Sequence, residues 1–245
     1  MWASIYSSPT KSEVEIEPTI EVIEKNPEKE ILDNFLHGKS EGKNLDYSKN
    51  ALICETEEWT GKTGSSSLCN AVLITTQGHA LISNHCVKKE LKKSYLSTEC
   101  TTINGSRYQT SILQSKDFED IALLKLENFN EEIDPLYLFK ATFVVPGARA
   151  TIKSYNSDFS PINTPKESII LPTIFEKTFT AINTMVKEGM SGSPVYKDGN
   201  LIGVVCASTE DRFYGYEGTL LSARDPIYCV IKDYLKEYAW VCEDL

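Results

Sequence analysis

The chain has 245 residues, of which 41% are hydrophobic and 24% charged, so there is enough apolar material for a sizeable core. Its formal charge is −10 and its pI near 4.9, which argues against a nucleic-acid partner, since phosphate backbones require a basic surface. No stretch approaches the roughly 20 apolar residues of a membrane span, and Met1 to Tyr6 lack the basic region and apolar run of a signal peptide.

Residues 1–48 read as a separate acidic arm. They hold ten acidic and five basic residues, which is half of the net charge in a fifth of the chain. Pro9, Pro18 and Pro27 punctuate the arm, and only Ile31, Leu32, Phe35 and Leu36 have the spacing of a short amphipathic helix. A solvated arm is the expectation, dispensable for folding. A propeptide or regulatory segment lying across the rest of the chain is the alternative, with Val14 to Glu17 as a possible edge strand.

The domain expected over 49–245 begins with short strands separated by turn signals: Leu52 to Thr60, Leu68 to Thr75, Ala80 to Ser83, Arg107 to Leu113 and Ile121 to Leu126. A second set follows Pro146-Gly147: Ala148 to Tyr155, Ser168 to Leu171, Glu176 to Ile182, Pro194 to Tyr196, Leu201 to Ala207 and Thr219 to Ser222. Short strands at this spacing predict an all-β chain, with antiparallel barrels at about 49–140 and 141–224. The period then changes to that of a helix over 225–241, where Ile227, Val230, Ile231, Tyr234, Leu235, Tyr238 and Val241 share a face; Asp225 reads as the N-cap and Pro226 as the first helical residue.

Gly189-Met190-Ser191-Gly192-Ser193-Pro194 opens one of these strands. Glycines on both sides of a serine allow a sharp bend with backbone N–H groups turned inward, the setting a nucleophilic hydroxyl needs; the same residues also make ordinary β-turns. Upstream, a strand-like run ends in Asn84-His85-Cys86, and Phe118-Glu119-Asp120 precedes another. The order His85, Asp120, Ser191, each beside a hydrophobic strand, resembles the chymotrypsin-like (trypsin-like) serine proteases over about residues 50–240.

That resemblance implies two six-stranded antiparallel β-barrels with a C-terminal helix, and a serine endopeptidase that acts on protein or peptide substrates. His85 would be the base, Asp120 its orienting carboxylate and Ser191 the nucleophile, with the Gly189 and Ser191 N–H groups as the oxyanion hole. The primary specificity pocket would be lined by Met185, Val186, Ala207, Ser208, Gly218 and Leu220. With no charge among them, cleavage after uncharged apolar residues is expected.

The chain departs from the animal digestive branch, since Met190 stands where that branch has Asp, and no Ile-Val-Gly-Gly occurs. It looks closer to the bacterial and viral HtrA-like and glutamyl-endopeptidase-like branch. Asn84 stands where alanine is frequent, and Cys206 where a serine often bonds the triad aspartate. A peptide-binding module of weak or no activity is the other reading of the same fold, whereas an α/β-hydrolase esterase is disfavoured because its serine comes first in the chain.

Seven cysteines without a Cys-x-x-Cys, and only three histidines, argue against a metal site, and no cofactor is expected. In relatives the positions of Cys69 and Cys86 often form a disulfide that pins the histidine loop. If it forms here the compartment is oxidising, secreted or periplasmic; two small buried thiols, compatible with the cytoplasm, are the alternative. Asn104-Gly105-Ser106 is a lone glycosylation sequon.

Overall fold

The computed structural model describes residues 26–38, 47–59, 61, 63–88, 95–140, 144–162, 168–171, 179–211 and 216–236. Val14 to Glu17, Tyr238 and Val241 lie outside them, as does the start of the strand expected from Glu176.

The first barrel contains β1 (Ala51–Trp59), β2 (Gly64–Leu73), β3 (His79–Ile82), β4 (Tyr95–Thr102), β5 (Arg107–Lys116) and β6 (Ile121–Leu126), closed in the order β1-β2-β3-β6-β5-β4. The second contains β7 (Arg149–Ile152), β8 (Ser168–Leu171), β9 (Phe179–Ile182), β10 (Pro194–Lys197), β11 (Asn200–Asp211) and β12 (Tyr216–Ser222), closed as β10-β11-β12-β9-β8-β7. All the strand pairings are antiparallel. The all-β class and the two six-stranded barrels with a helix after them are therefore present.

Strand β4 is the one the sequence did not reveal. Its inward residues include Thr98, Cys100 and Thr102, which carry little hydrophobic signal. Covalent and polar cross-strand pairs hold it to β1 instead: the Cys54–Cys100 disulfide, and Thr56 hydrogen-bonded to Thr98 at 3.0 Å. Cys69–Cys86 is a second disulfide, joining β2 to the turn Asn84–Cys86.

Helix α1 (Pro27–His37) begins where chemistry favours it. Asn26 caps the N–H groups of Glu28 and Lys29, Pro27 opens the first turn, and Glu28 and Glu30 face the positive end of the helix dipole. The picture of a solvated arm up to residue 48 needs correction here. Leu32, Phe35 and Leu36 are buried in one cluster with Val72, Leu81 and Leu123 of the first barrel, and with Leu201 and Val204 of the second. The Phe35 carbonyl also accepts from Leu138 N–H in the connection between the barrels, at 2.9 Å.

Helix α2 (Arg224–Tyr234) adds Ile227, Val230 and Ile231 to that cluster. Its N-cap is Ala223, not Asp225: the helix starts ahead of the Asp-Pro pair, and buried Asp225 sits in the first turn against the Arg224 guanidinium at 2.8 Å. The described helix ends at Tyr234, short of the expected 241, and Lys236 takes a left-handed conformation.

Polar contacts fasten α1 to both its neighbours. Lys232 of α2 meets Asp33 at 2.7 Å, and the Tyr234 hydroxyl donates to Glu28 at 3.0 Å. Fully buried His79 of β3 contacts the other Glu28 oxygen through Nε2 at 2.8 Å, with Lys125 of β6 at 3.4 Å from both groups. His79 Nδ1 faces the Thr75 hydroxyl at 2.7 Å. Burial, and then the Lys125 charge, push the His79 imidazole down to about 4 against the opposing pull of Glu28. Burial alone would raise the Glu28 carboxyl, but the hydrogen bonds from His79 and Tyr234 outweigh it and hold it below its ordinary value.

Two outcomes follow for α1. Leu32→Ala or Phe35→Ala should each lower stability by about 2–5 kcal/mol in urea unfolding, and a cost within about 0.5 kcal/mol would show that the helix is only laid on the surface.

The second outcome concerns acid. His79 binds a proton more readily unfolded, near its ordinary 6.5, than folded, at about 4. Stability should therefore fall as pH drops through that window, by on the order of 1 kcal/mol per pH unit at most. Glu28 adds a loss of the same sign below 4.5. Urea midpoints at pH 7 and pH 5 should separate less in His79→Gln than in the parent, and equal separations would remove His79 from the account.

Candidate active site

His85 lies in the turn that follows β3, and Asp120 immediately precedes β6, which pairs with β3. The two meet through both carboxylate oxygens: Oδ1 accepts from the His85 backbone N–H at 2.8 Å, and Oδ2 from His85 Nδ1 at 2.7 Å. A carboxylate can only accept, so the ring proton belongs on Nδ1 and Nε2 is left as the basic nitrogen. Asp120 is held in a left-handed conformation, φ 50°, while its carbonyl accepts from Asn84 N–H at 3.2 Å.

Two sets of contacts that the sequence did not show support this pair. Buried Ser222 of β12 points its hydroxyl at the Glu119 and Asp120 carbonyls, 2.6 and 3.1 Å away. Asn84 donates through its amide to Asp117 at 2.7 Å, and Lys88 reaches the other Asp117 oxygen at the same distance. The Lys88 ammonium and the Asn84 amide hold the Asp117 carboxyl below its ordinary value. Cys206 is a buried thiol pushed up to about 12, by burial and then by the Asp120 charge, so it stays neutral.

Ser191 sits in the turn that feeds β10. Gly189 and Gly192 have φ of 85° and 79°, a region that L side chains rarely adopt. A Cβ on Gly192 would also lie 1.9 Å from the Asn70 carbonyl oxygen of β2, so this turn is pressed against the first barrel. The Gly192 N–H donates to the Val205 carbonyl at 2.7 Å, and the Ser83 hydroxyl, two residues before His85, donates to the same oxygen at 2.6 Å. One carbonyl of the second barrel thus brings the histidine turn and the serine turn side by side. Among the described residues, the Ser191 hydroxyl makes no hydrogen bond, and the Gly189 and Ser191 N–H groups donate to no other group.

Of the residues expected to line a specificity pocket, Met185 is 52% exposed and Val186 packs partly against the core of the second barrel. Ala207 of β11 is exposed and pairs with Leu220 of β12; Ser208 pairs with Thr219, and Thr209 with Gly218. The surroundings of the Ser208, Gly218 and Leu220 side-chain positions lie outside the described residues. Thr219 ties the walls together by donating its hydroxyl to the Thr184 carbonyl. Met190 points inward to the core of the second barrel, where it is 1% exposed, instead of offering a charge.

Cys69, Cys86 and His85 are the one group of possible metal-ligand atoms found among the described residues, within 4.8 Å of one another. The disulfide occupies both sulfurs, and His85 Nδ1 is engaged by Asp120.

The trypsin-like peptidase domain profile matches residues 69–204, more than half of the chain and inclusive of His85, Asp120 and Ser191. The chain belongs to the trypsin-like peptidase family. No curated protein matches it. Membership of this family supports a peptidase, a hydrolase, acting on peptide substrates. Among the described residues no helix is long and apolar enough to cross a membrane.

The Gly192 contact gives a direct check on the way the two barrels meet. Gly192→Ala should abolish hydrolysis and lower the thermal midpoint, because the new methyl group meets backbone at 1.9 Å. A variant with parental activity and midpoint would mean that the turn is free to move away from β2.

Proposed function

We propose that this trypsin-like peptidase is a serine endopeptidase working through His85, Asp120 and Ser191. The observation that carries the reading is the shared Val205 carbonyl, which sets the serine turn beside a histidine whose Nδ1 is already committed to a carboxylate. Ser191 Oγ attacks the scissile carbonyl as His85 Nε2 takes its proton, and Asp120 holds the imidazolium so formed. The Gly189 and Ser191 N–H groups receive the oxyanion, at about 3 kcal/mol of transition-state stabilisation per donor. His85 then gives the proton to the leaving amine, and water, activated by the same nitrogen, hydrolyses the acyl-enzyme. The hydrogen bond between nucleophile and base is often long before substrate arrives, which fits an unengaged Ser191 hydroxyl.

Specificity follows from Met185, Val186, Ala207, Ser208, Gly218 and Leu220. An uncharged pocket favours a buried apolar side chain by about 1.5–3 kcal/mol and penalises an unpaired charge by several kcal/mol. The inward Met190 removes the ion pair by which the digestive branch is activated, which favours the HtrA-like and glutamyl-endopeptidase-like branch. The pocket histidine of glutamyl endopeptidases corresponds here to Val205, an apolar core residue. The disulfides Cys54–Cys100 and Cys69–Cys86 support an oxidising compartment, outside the cell or in a periplasm.

A proteome-derived peptide library, read by mass spectrometry, should show cleavage after Leu, Met, Val or Phe. Ser191→Ala and His85→Ala should each reduce it by about a thousandfold or more, and the double variant should be barely worse than either. Hydrolysis that survives in Ser191→Ala would overturn the nucleophile, and a parental protein without hydrolysis would favour a peptide-binding role. A profile dominated by Lys and Arg would overturn the apolar pocket.

A further inference from the structure

Asn70 is a polar residue within the apolar half of β2, and it is 2% exposed. Its backbone N–H and both ends of its side-chain amide form hydrogen bonds to residues from 155 onward. The backbone N–H donates to the Ser191 carbonyl at 2.8 Å. Side-chain Nδ2 donates to the Gly189 carbonyl at 2.8 Å and to the Tyr155 carbonyl at 3.1 Å, while Oδ1 accepts from Tyr155 N–H at 2.9 Å. The amide's orientation is set by these partners, because the reverse orientation would put its oxygen against two carbonyls. The remaining group, the Asn70 carbonyl, is the surface on which Gly192 rests.

The peptide unit joining Gly189 to Met190 stands between the two N–H groups of the oxyanion hole. Its carbonyl is the one Asn70 Nδ2 holds, so the unit cannot rotate without breaking a buried hydrogen bond. A net change in the dihedrals on its two sides, ψ of Gly189 and φ of Met190, would turn the Gly189 and Ser191 N–H groups away from a common focus, and oxyanion stabilisation depends on donors already aimed when charge develops. Tyr155 fixes the other side of the amide through two bonds, and the adjacent Ser154 hydroxyl accepts from Ser193 at 2.7 Å.

We propose that Asn70 is a positioning residue for the oxyanion hole, its amide holding the Gly189 carbonyl and so aiming the Gly189 and Ser191 N–H groups. This rests on Ser191 being the nucleophile. Asn70 touches no reacting atom, and its effect is on the transition state more than on peptide binding.

The test compares the parental protein with Asn70→Ala and with Asn70→Asp, which keeps the shape and the acceptor for Tyr155 N–H but has no donor for Gly189. Active sites are counted by complete fluorophosphonate labelling, and kcat per site, KM and the affinity for a leucine-terminated peptide aldehyde are measured. The aldehyde forms a hemiacetal with Ser191 that places an oxyanion in the hole. In both variants kcat per site should fall about 10- to 100-fold, with KM within about threefold. Aldehyde affinity should fall with kcat, and the pH midpoint of kcat/KM should not move.

A merely structural Asn70 would instead lower the count of active sites or the thermal midpoint and leave kcat per site unchanged, and that result overturns the proposal. Failure of both variants to fold, judged by circular dichroism, would assign Asn70 to folding and overturn it too. Hydrolysis that Ser191→Ala does not remove would overturn the serine peptidase reading and this proposal together. Ser191-dependent hydrolysis unaffected at Asn70 overturns this proposal alone.

Discussion

The cleft is built around one carbonyl, that of Val205, which ties the histidine turn to the serine turn. Apolar burial holds two barrels together but specifies no direction, since it scales with area and tolerates sliding. Hydrogen bonds do specify direction, and this oxygen accepts two, from the Ser83 hydroxyl of the first barrel and the Gly192 N–H of the second. The Val205 N–H answers with a bond to the Ser193 carbonyl, so the residue grips the serine turn on both sides. It lies beside the irregularity in the β11–β12 pairing between Val205 and Ala207, and bulges of this kind re-aim backbone groups near functional sites.

The face opposite in character to the cleft is the packed cluster of α1, α2 and both barrels. There the contacts are mainly aliphatic, with the Glu28, His79, Lys125 and Tyr234 group at its margin. The trypsin-like peptidase profile covers residues 69–204, so α1 lies outside the matched region. The helix, capped by Asn26, closes over the connection between the barrels at Leu136 and Leu138.

Much of the fold was legible because alternating apolar residues mark strands, and the residues of the candidate triad were legible because they sit in short motifs beside those strands. What escaped did so for identifiable reasons. β4 is pinned by a disulfide and a threonine pair, neither of which contributes to hydrophobic periodicity. The spacing of Leu32, Phe35 and Leu36 did predict the helix of α1, but not the burial of these three side chains, because its acidic flanks gave the composition of a solvated arm. Asp225 looked like a cap because Asp-Pro is a strong start signal, yet its pairing with Arg224 let the helix begin earlier. Asn70 and Ser222 left only one trace, a polar residue inside an apolar run. Such a residue must find partners when buried, but the sequence does not say which.

The winding of the barrels has its own consequence. Read in their own strand order, both close as first, second, third, sixth, fifth, fourth. The first barrel carries His85 and Asp120 complete with their mutual bonds, yet Asn70 and Ser83 find their acceptors only in residues from 155 onward. As the ribosome delivers the chain from its N-terminus, the residues of the imidazole and carboxylate emerge before those of the serine turn. The contact that satisfies these buried groups of the first barrel is the same contact that assembles the cleft.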